Sequence, residues 1–335
     1  MTDVFFFKGD SMRDMLDHNK KIIVNTDIDG ILSAFVLCHY CGCEIVGFSN
    51  SSDSVWWRAD KIKSIYEAVY IDMYVARKDV LTIDQHIVSY DEEQCSELAA
   101  LGTKINPNLE NPRSFTPAKS YKYKYPFATV HYILAKLGGE GLNVQFDLSK
   151  KIQGPDRSAL CFGDFLLRAD DAMKTTLNSP YKKNAREWWE WLSTCAGETR
   201  NISDLVDFLR RCPTDDKSVE QKKIDIKTFF RNRYGCRKSD GGFKRPCDEN
   251  GMLTESTKQY FQDFWGYLGD DFASIQDILE AHYECAAGKA HRIWIRPEEG
   301  EELKCDGTLH GETVFSYGYV NSPDGRFQNF SYTVI

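Results

Sequence analysis

The chain has 335 residues, of which 42% are hydrophobic, and a formal net charge of −8. Its length predicts two domains, because single hydrophobic cores stop growing at about 250 to 300 residues, and its acidity argues against a protein that coats nucleic acid through bulk attraction. No stretch reaches the roughly 20 uncharged apolar residues of a membrane helix, and the N-terminus lacks the features of a signal peptide, so we expect a cytoplasmic protein without a membrane partner.

The first part of the chain alternates short apolar runs with amphipathic segments. Strands are predicted at residues 22–24, 41–50, 67–75, 80–83 and 102–108. Helices are predicted at residues 11–18, 31–37, 55–66, 92–101, 126–138 and 163–173. Strands that alternate with helices indicate an α/β domain with a mostly parallel, doubly wound sheet, which we assign to residues 1–195.

A different pattern fills residues 196–335, for which we predict a second, smaller α+β domain. Long amphipathic segments come first, followed by a helix at 274–287 and strands at 291–297, 312–320 and 327–335. The sequence NSPDGR at 321–326 is typical of a turn between the last two strands. This C-terminal part is a candidate substrate-binding module.

Acidic side chains follow several predicted strands of the first domain. Asp27 and Asp29 come after the strand at 22–24, and Asp72 and Asp84 lie at the ends of two later strands, with His86 two positions further on. Because parallel strands end on one edge of a sheet, these carboxylates converge there and require a positive partner. Mg²⁺ and Mn²⁺ prefer oxygen ligands, and imidazole suits a transition metal. The alternative for each aspartate is a helix N-cap.

The 11 cysteines are predicted to be reduced thiols, because an odd number in a long chain does not indicate a disulfide framework. A zinc site has two candidate ligand groups. They are His39, Cys41 and Cys43 in the first domain, and Cys236, Cys247, Cys285, Cys305 and His310 in the second. No CxxC pair supports either group.

Four motifs of the first domain resemble, in order and spacing, those of the DHH phosphoesterase superfamily. They are NTDIDGILSA at 25–34, YIDMYV at 70–75, TIDQH at 82–86 and KINPN at 104–108. The superfamily includes RecJ exonucleases, oligoribonucleases, cyclic-dinucleotide phosphodiesterases and one type of inorganic pyrophosphatase. The resemblance implies an enzyme that uses one or two Mn²⁺ or Mg²⁺ ions.

The resemblance also implies roles for individual residues. It makes Asp27 and Asp29 metal ligands, and Asp72 the carboxylate that bridges two metals. Asp84 and His86 become catalytic residues, with His86 near the scissile phosphate. A fourth aspartate ligand is expected after a helix, and it is assigned to Asp164, with Asp170 as the alternative.

Two positions depart from the family's pattern. Asn25 stands where the first motif usually has a His or Asp ligand, and Gln85 replaces the middle histidine of the third motif. Asn and Gln offer a neutral carbonyl oxygen, so they remain possible weak ligands or substrate contacts, and metal affinity is expected to fall.

Basic residues near the site are candidate phosphate ligands. Arg113, Lys119, Lys122 and Lys124 lie in a predicted loop at 109–125. A second basic tract, at 221–247, interleaves lysine and arginine with Phe229, Phe230 and Tyr234, which is typical of a base-stacking surface. The alternative for both segments is a solvated surface.

The leading functional hypothesis is a divalent-metal phosphoesterase that hydrolyses a phosphodiester or phosphoanhydride in a nucleotide or short single-stranded nucleic acid. A second hypothesis is a catalytically inactive member of the DHH fold that serves as a binding or scaffold subunit. A third follows from the similarity of DIDG to haloacid dehalogenase phosphatases, in which Asp27 is a covalent nucleophile and Asp29 a general acid.

Overall fold

The computed structural model describes residues 11–111, 113, 121–144, 180–205, 216–236, 242–265, 275–296, 299, 302–303, 314–321 and 328–335. The predicted helix at 163–173 and most of the predicted turn at 321–326 lie outside these residues. The helices are α1 (Met12–His18), α2 (Ile28–Cys41), α3 (Glu92–Ala100), α4 (Thr129–Gly139), α5 (Pro180–Cys195), α6 (Asp216–Tyr234), α7 (Glu255–Trp265) and α8 (Gln276–Leu279). The strands are β1 (Lys21–Asn25), β2 (Glu44–Ser49), β3 (Ser54–Trp57), β4 (Val69–Ile71), β5 (Thr82–Ile83), β6 (Lys104–Ile105), β7 (Glu284–Ala287), β8 (Lys289–Ile295), β9 (Ser316–Asn321) and β10 (Gln328–Val334).

The main sheet has seven strands in the order β6-β5-β4-β1-β2-β3-β7. Strand β1 pairs in parallel with β2 and β4, and β4, β5 and β6 pair in parallel in turn. The edge formed by β3 and β7 is antiparallel. The predicted α/β class with a mostly parallel sheet is confirmed, and the carboxyl ends of β1, β4 and β5 lie side by side.

The two faces of this sheet are covered by different parts of the chain. Ile22 and Val24 of β1 lie in a core shared with α2, α4 and α5. Ile23 points to the other face, as alternation along a strand requires, and lies in a cluster with Val46 and Phe315. A residue from the C-terminal part of the chain therefore helps to close the second face.

The helix predicted at 55–66 is wrong. Residues Ser54–Trp57 form strand β3, and a short 3₁₀ turn at Ile65–Glu67 is the only helical piece in that interval. Val55 pairs with Ser49 on one side and with Ala286 on the other. The second partner lies more than 200 positions away in the sequence, so the local apolar pattern could not indicate it.

The helix predicted at 274–287 is correct only for its first part. Residues Gln276–Leu279 are helical, and Glu284–Ala287 form β7. The high helix propensity of the alanines is a weak preference, and pairing with β3 at the sheet edge overrides it. Strand β7 thus joins the N-terminal sheet, although the sequence assigns it to a second domain; the boundary at residue 195 stays a prediction.

A second sheet of three antiparallel strands, in the order β8-β10-β9, accounts for the three strands predicted near the C-terminus. Its aromatic residues Tyr317 and Phe330 pack against Tyr74 and Ile87. The backbone N–H of Tyr319 donates to the carbonyl oxygen of Ile87 at 2.9 Å. This sheet therefore lies against the segments that follow β4 and β5. None of the described helices has both the length and the apolar composition required to cross a bilayer.

Candidate metal centre

The turn between β1 and α2 holds the first aspartate. Asp27 has an extended backbone and caps α2, with its Oδ1 accepting the backbone N–H of Gly30 at 3.0 Å. A Cβ on Gly30 would lie 2.3 Å from the carbonyl oxygen of Asn25, so only glycine allows the helix to begin this close to the strand. The predicted alternative, an aspartate N-cap, is confirmed for Asp27.

Asp29 lies in the first turn of α2 and points at the start of α4. Its Oδ2 accepts the backbone N–H of Thr129 at 2.8 Å, and its Oδ1 accepts that of Val130 at 3.0 Å. The carboxylate thereby satisfies two N–H groups that the first turn of a helix leaves without partners. These two hydrogen bonds connect the first turn of α4 to the first turn of α2.

Asn25, the last residue of β1, lies between two carboxylates. Its Nδ2 donates to Oδ2 of Asp27 at 2.8 Å and to Oδ2 of Asp72 at 2.9 Å. Its Oδ1 is buried and has no hydrogen-bond partner. We refer to Asp27, Asn25 and Asp72 as the amide bridge.

Asp72 follows β4 in the left-handed conformation, with φ at +55°. Its backbone N–H donates to Ile83 at 2.8 Å, and its Oδ1 accepts the hydroxyl of Thr129 at 2.7 Å. Burial raises the pKa of Asp72 well above its usual range, and the nearby charges of Asp29 and Asp27 raise this pKa further. The fold therefore holds Asp72 at a position where ionisation of its carboxyl group costs free energy.

Asp84 and His86 follow β5 and contact each other directly. Nδ1 of His86 lies 2.5 Å from Oδ1 of Asp84, and the backbone N–H of His86 donates to the same oxygen at 2.9 Å. Asp84 is buried, whereas the His86 side chain is 45% exposed. The aspartate thus orients an imidazole that solvent can reach.

Asn106 and Asn108, at the end of β6, hold this histidine segment in place. Nδ2 of Asn106 donates to Oδ2 of Asp84 at 3.1 Å and to the carbonyl oxygen of His86 at 2.8 Å. Nδ2 of Asn108 donates to the carbonyl oxygen of Gln85 at 2.8 Å. The sequence placed both asparagines in a motif but did not predict these roles.

Asp72, Asp84 and His86 form a candidate cation site, with one ligand atom from each lying within 4.8 Å of the others. We refer to these residues as the carboxylate–histidine cluster. Among the described residues, no other group of three His, Cys, Asp or Glu side chains comes this close. In the described part of the chain, the groups with the largest effect on the pKa of Asp72 are Asp29, Asp27, Thr129 and Asn25, and none of these is positively charged.

The predicted phosphate ligands have varied surroundings. Arg113 donates to Glu187 at 2.7 Å and lies over the ring of Trp188, at 5.3 Å from its centre. Lys122 is exposed, and Lys124 is partly buried. Lys119, Asp164 and Asp170 lie outside the described residues.

The C-terminal end of the tract at 221–247 contacts residues that follow β1 and β2. The hydroxyl of Thr26 donates to the carbonyl oxygen of Phe243 at 3.0 Å, and Nδ2 of Asn50 donates to that of Lys244 at 3.0 Å. Lys244 and Arg245 are exposed. The backbone next to these two exposed cationic residues is therefore anchored at the carboxyl edge of β1 and β2.

The aromatic residues of that tract do not form a base-stacking surface. Phe229, Phe230 and Tyr234 are all buried. Phe230 stacks on Phe264, and Tyr234 contacts Tyr260 edge to face. The alternation of basic and aromatic residues results from an amphipathic helix with its rings in the core.

The described cysteines are all free thiols, as predicted. Burial raises the pKa of Cys41 to about 11 and that of Cys43 to about 12, so both remain protonated at neutral pH. Neither predicted zinc group brings three ligands together within the described part of the chain. Cys305 and His310 lie outside it.

Comparisons of the chain with family models, with curated proteins and with solved structures found no match. The resemblance to the DHH superfamily therefore stays a prediction that depends on the four motifs.

Proposed function

We propose that this protein is a divalent-cation-dependent phosphoesterase that hydrolyses a phosphodiester or phosphoanhydride in a nucleotide or short single-stranded nucleic acid. The observation that supports this proposal is the carboxylate–histidine cluster at the carboxyl edge of a mostly parallel sheet. Ligands of open α/β folds bind at that edge.

The ligand set suits a hard or borderline cation. Asp72 and Asp84 provide buried carboxylate oxygens, and His86 provides an imidazole. Carboxylates alone would fit Mg²⁺, and the imidazole extends the choice to Mn²⁺. A divalent cation held there would supply positive charge for phosphoryl oxygens and would lower the pKa of a bound water.

The protein's own groups would then position the reacting phosphate. Asp84 orients the exposed ring of His86, which can donate to a phosphate oxygen or transfer a proton. Asn106 fixes both residues from the neighbouring strand. Lys244 and Arg245 are exposed on a segment that is anchored at the same edge, and their charge favours an anionic substrate.

A hydrolysis screen tests this proposal. Dinucleotides, cyclic dinucleotides, single-stranded oligonucleotides and pyrophosphate are incubated with the protein and Mn²⁺, Mg²⁺ or a chelator. We expect a cation-dependent product whose rate falls by more than about 100-fold in Asp84→Asn, since even outer partners of metal ligands are worth about 10- to 100-fold. Asp60→Asn, the same chemical change at an exposed carboxylate that pairs with the buried Arg58, is the matched control.

The inactive binding subunit is a second candidate, and the amide bridge favours it. Asn25 satisfies two carboxylates without any ion. Nucleotide binding without cation-dependent turnover of any substrate in the screen would support this function over catalysis. The haloacid dehalogenase alternative receives no such support, because Asp27 is buried and its two oxygens accept hydrogen bonds from Gly30 and Asn25.

A further inference from the structure

The amide bridge places a neutral donor where two carboxylates converge. Asn25, Asp27 and Asp72 are 4%, 6% and 2% exposed, so solvent does not screen the two acids from each other. The Asn25 NH₂ group gives one hydrogen bond to each, at 2.8 and 2.9 Å. It thus occupies the position between them in which a shared cation would sit.

The donor and the cation are alternatives at this position. An NH₂ group has two protons, one for each carboxylate, and its nitrogen cannot act as a metal ligand. The Oδ2 atoms of Asp27 and Asp72 that would bind a shared ion are both directed to that NH₂. The Asn25 Oδ1 is buried and makes no hydrogen bond, so this side chain is oriented by its donors alone.

We propose that the Asn25 amide takes the place of a second cation, so that the chain binds a single divalent ion, through the carboxylate–histidine cluster. The single ion rests on the proposed function; the exclusion of a second ion rests on the amide bridge. Because the exclusion of the second ion depends on one NH₂ group, a single substitution that removes this group should allow the second ion to bind.

Asn25→Asp is the substitution that creates the second site. Aspartate has the shape of asparagine, but it replaces the NH₂ group by an oxygen, so three buried carboxylates meet where the wild type has two carboxylates and an amide. Such an arrangement binds a hard cation or takes up protons. We therefore expect the variant to bind two Mn²⁺ ions, where the wild type binds one.

The experiment measures Mn²⁺ stoichiometry by calorimetry and by elemental analysis after desalting. Two controls accompany Asn25→Asp. Asn250→Asp adds the same charge at an exposed turn and should still bind one ion. Asp27→Asn keeps a good N-cap and should also bind one ion, because Asp27 lies outside the carboxylate–histidine cluster.

Electron paramagnetic resonance gives a second readout. Two Mn²⁺ ions about 3.5 to 4 Å apart interact magnetically and broaden the spectrum of the isolated ion. We expect this change in Asn25→Asp and not in the wild type. If Asn25→Asp does not fold without metal, refolding with Mn²⁺ in solution provides the sample, and the Asp27→Asn result remains decisive.

The outcomes separate this inference from the proposed function. A wild type with two ions, reduced to one in Asp27→Asn, overturns the inference and leaves the function standing. One ion in both the wild type and Asn25→Asp also overturns it. A wild type without any ion, together with an Asn25→Asp variant that binds one between the altered carboxylates, supports the exclusion of an ion by the Asn25 amide and overturns the proposed function with its single ion.

Discussion

Replacing the Asp72 carboxylate by an amide is expected to stabilise the protein in the absence of cations. Burial and the neighbouring Asp29 and Asp27 charges raise the pKa of Asp72 above its ordinary value of 3.8. Between that value and the raised pKa, the folded chain binds more protons than the unfolded chain. The free energy of unfolding therefore falls as the pH rises through this window, and Asp72→Asn removes the loss.

The size of the effect follows from two opposing contributions. Each unit of pKa shift corresponds to about 1.4 kcal/mol of unfolding free energy. The introduced amide has one acceptor atom in place of two, which weakens a hydrogen bond from Asn25 or Thr129 at a cost of about 1 kcal/mol. Asparagine tolerates the left-handed φ of +55° at this position, so no strain is added. Because the pKa of Asp72 is raised well above its ordinary value, we expect the first contribution to exceed the second, so that Asp72→Asn is more stable than the wild type at pH 7.5.

Urea unfolding measures this gain, with chelator or with Mn²⁺. In chelator, Asp72→Asn should be more stable than the wild type at pH 7.5, and the difference should shrink toward pH 4. With Mn²⁺ at 100 times its dissociation constant, the wild type should gain about 2.7 kcal/mol and the variant nothing. Asp60→Asn, which removes a carboxylate whose pKa is lowered by a hydrogen bond from Arg58, should show no gain in chelator. A variant less stable than the wild type in chelator at pH 7.5 would refute the reasoning, because the buried charge would then not be a penalty.

Three further predictions test the surroundings of the site. Burial lowers the pKa of Lys104 to about 7, so between pH 7 and pH 10.5 the unfolded chain binds more protons than the folded chain, and the free energy of unfolding rises with pH. Lys104→Met should flatten this rise, which urea unfolding at both ends of the pH range measures. Gly30→Ala should cost about 1 to 3 kcal/mol through overpacking against the end of β1. In thermal unfolding this cost should exceed that of Gly318→Ala, whose Cβ would meet only the carbonyl oxygen of Ile87, at 3.9 Å, and equal costs would contradict the close approach at Gly30. Asn106→Ala should weaken Mn²⁺ binding about 10- to 100-fold in calorimetry without changing the number of ions, and an unchanged affinity would show that Asn106 does not position the cluster.

The sequence was sufficient to predict the central strands and the edge on which acidic residues gather. The β-branched run at Ile22, Ile23 and Val24 followed by a glycine-containing turn indicated a buried strand and a helix, and both are present. Parallel strands end together, so Asp72 and Asp84 could be expected to lie near each other before any contact was known. These features depend on local pattern and on one general property of sheets.

Features that depend on distant pairing could not be predicted in this way. Strand β3 looks like an amphipathic helix until β7 is known to lie beside it. Asp29 looks like a metal ligand until the first turn of α4 is known to present Thr129 and Val130 to it, 100 and 101 positions away. In both cases the partner determines the role, and no short window of sequence contains the partner.

The hydrogen-bond donors of the described residues are distributed unevenly over the acidic side chains at the strand ends. Asp27 and Asp29 receive backbone N–H groups from the starts of α2 and α4, where the helix dipoles also favour negative charge. Asp84 receives a backbone N–H and the imidazole of His86. Within the part of the chain that the structure describes, Asp72 receives only the neutral side-chain groups of Asn25 and Thr129, which satisfy its lone pairs but do not balance its charge. The charge deficit thus lies at Asp72, on the side of Asp84 and His86, because the amide bridge already occupies the side of Asp27. Under the proposed function, a cation bound there would complete the electrostatics of the strand ends, and Asn25, which looks like a lost ligand in the sequence, would direct the ion to that side.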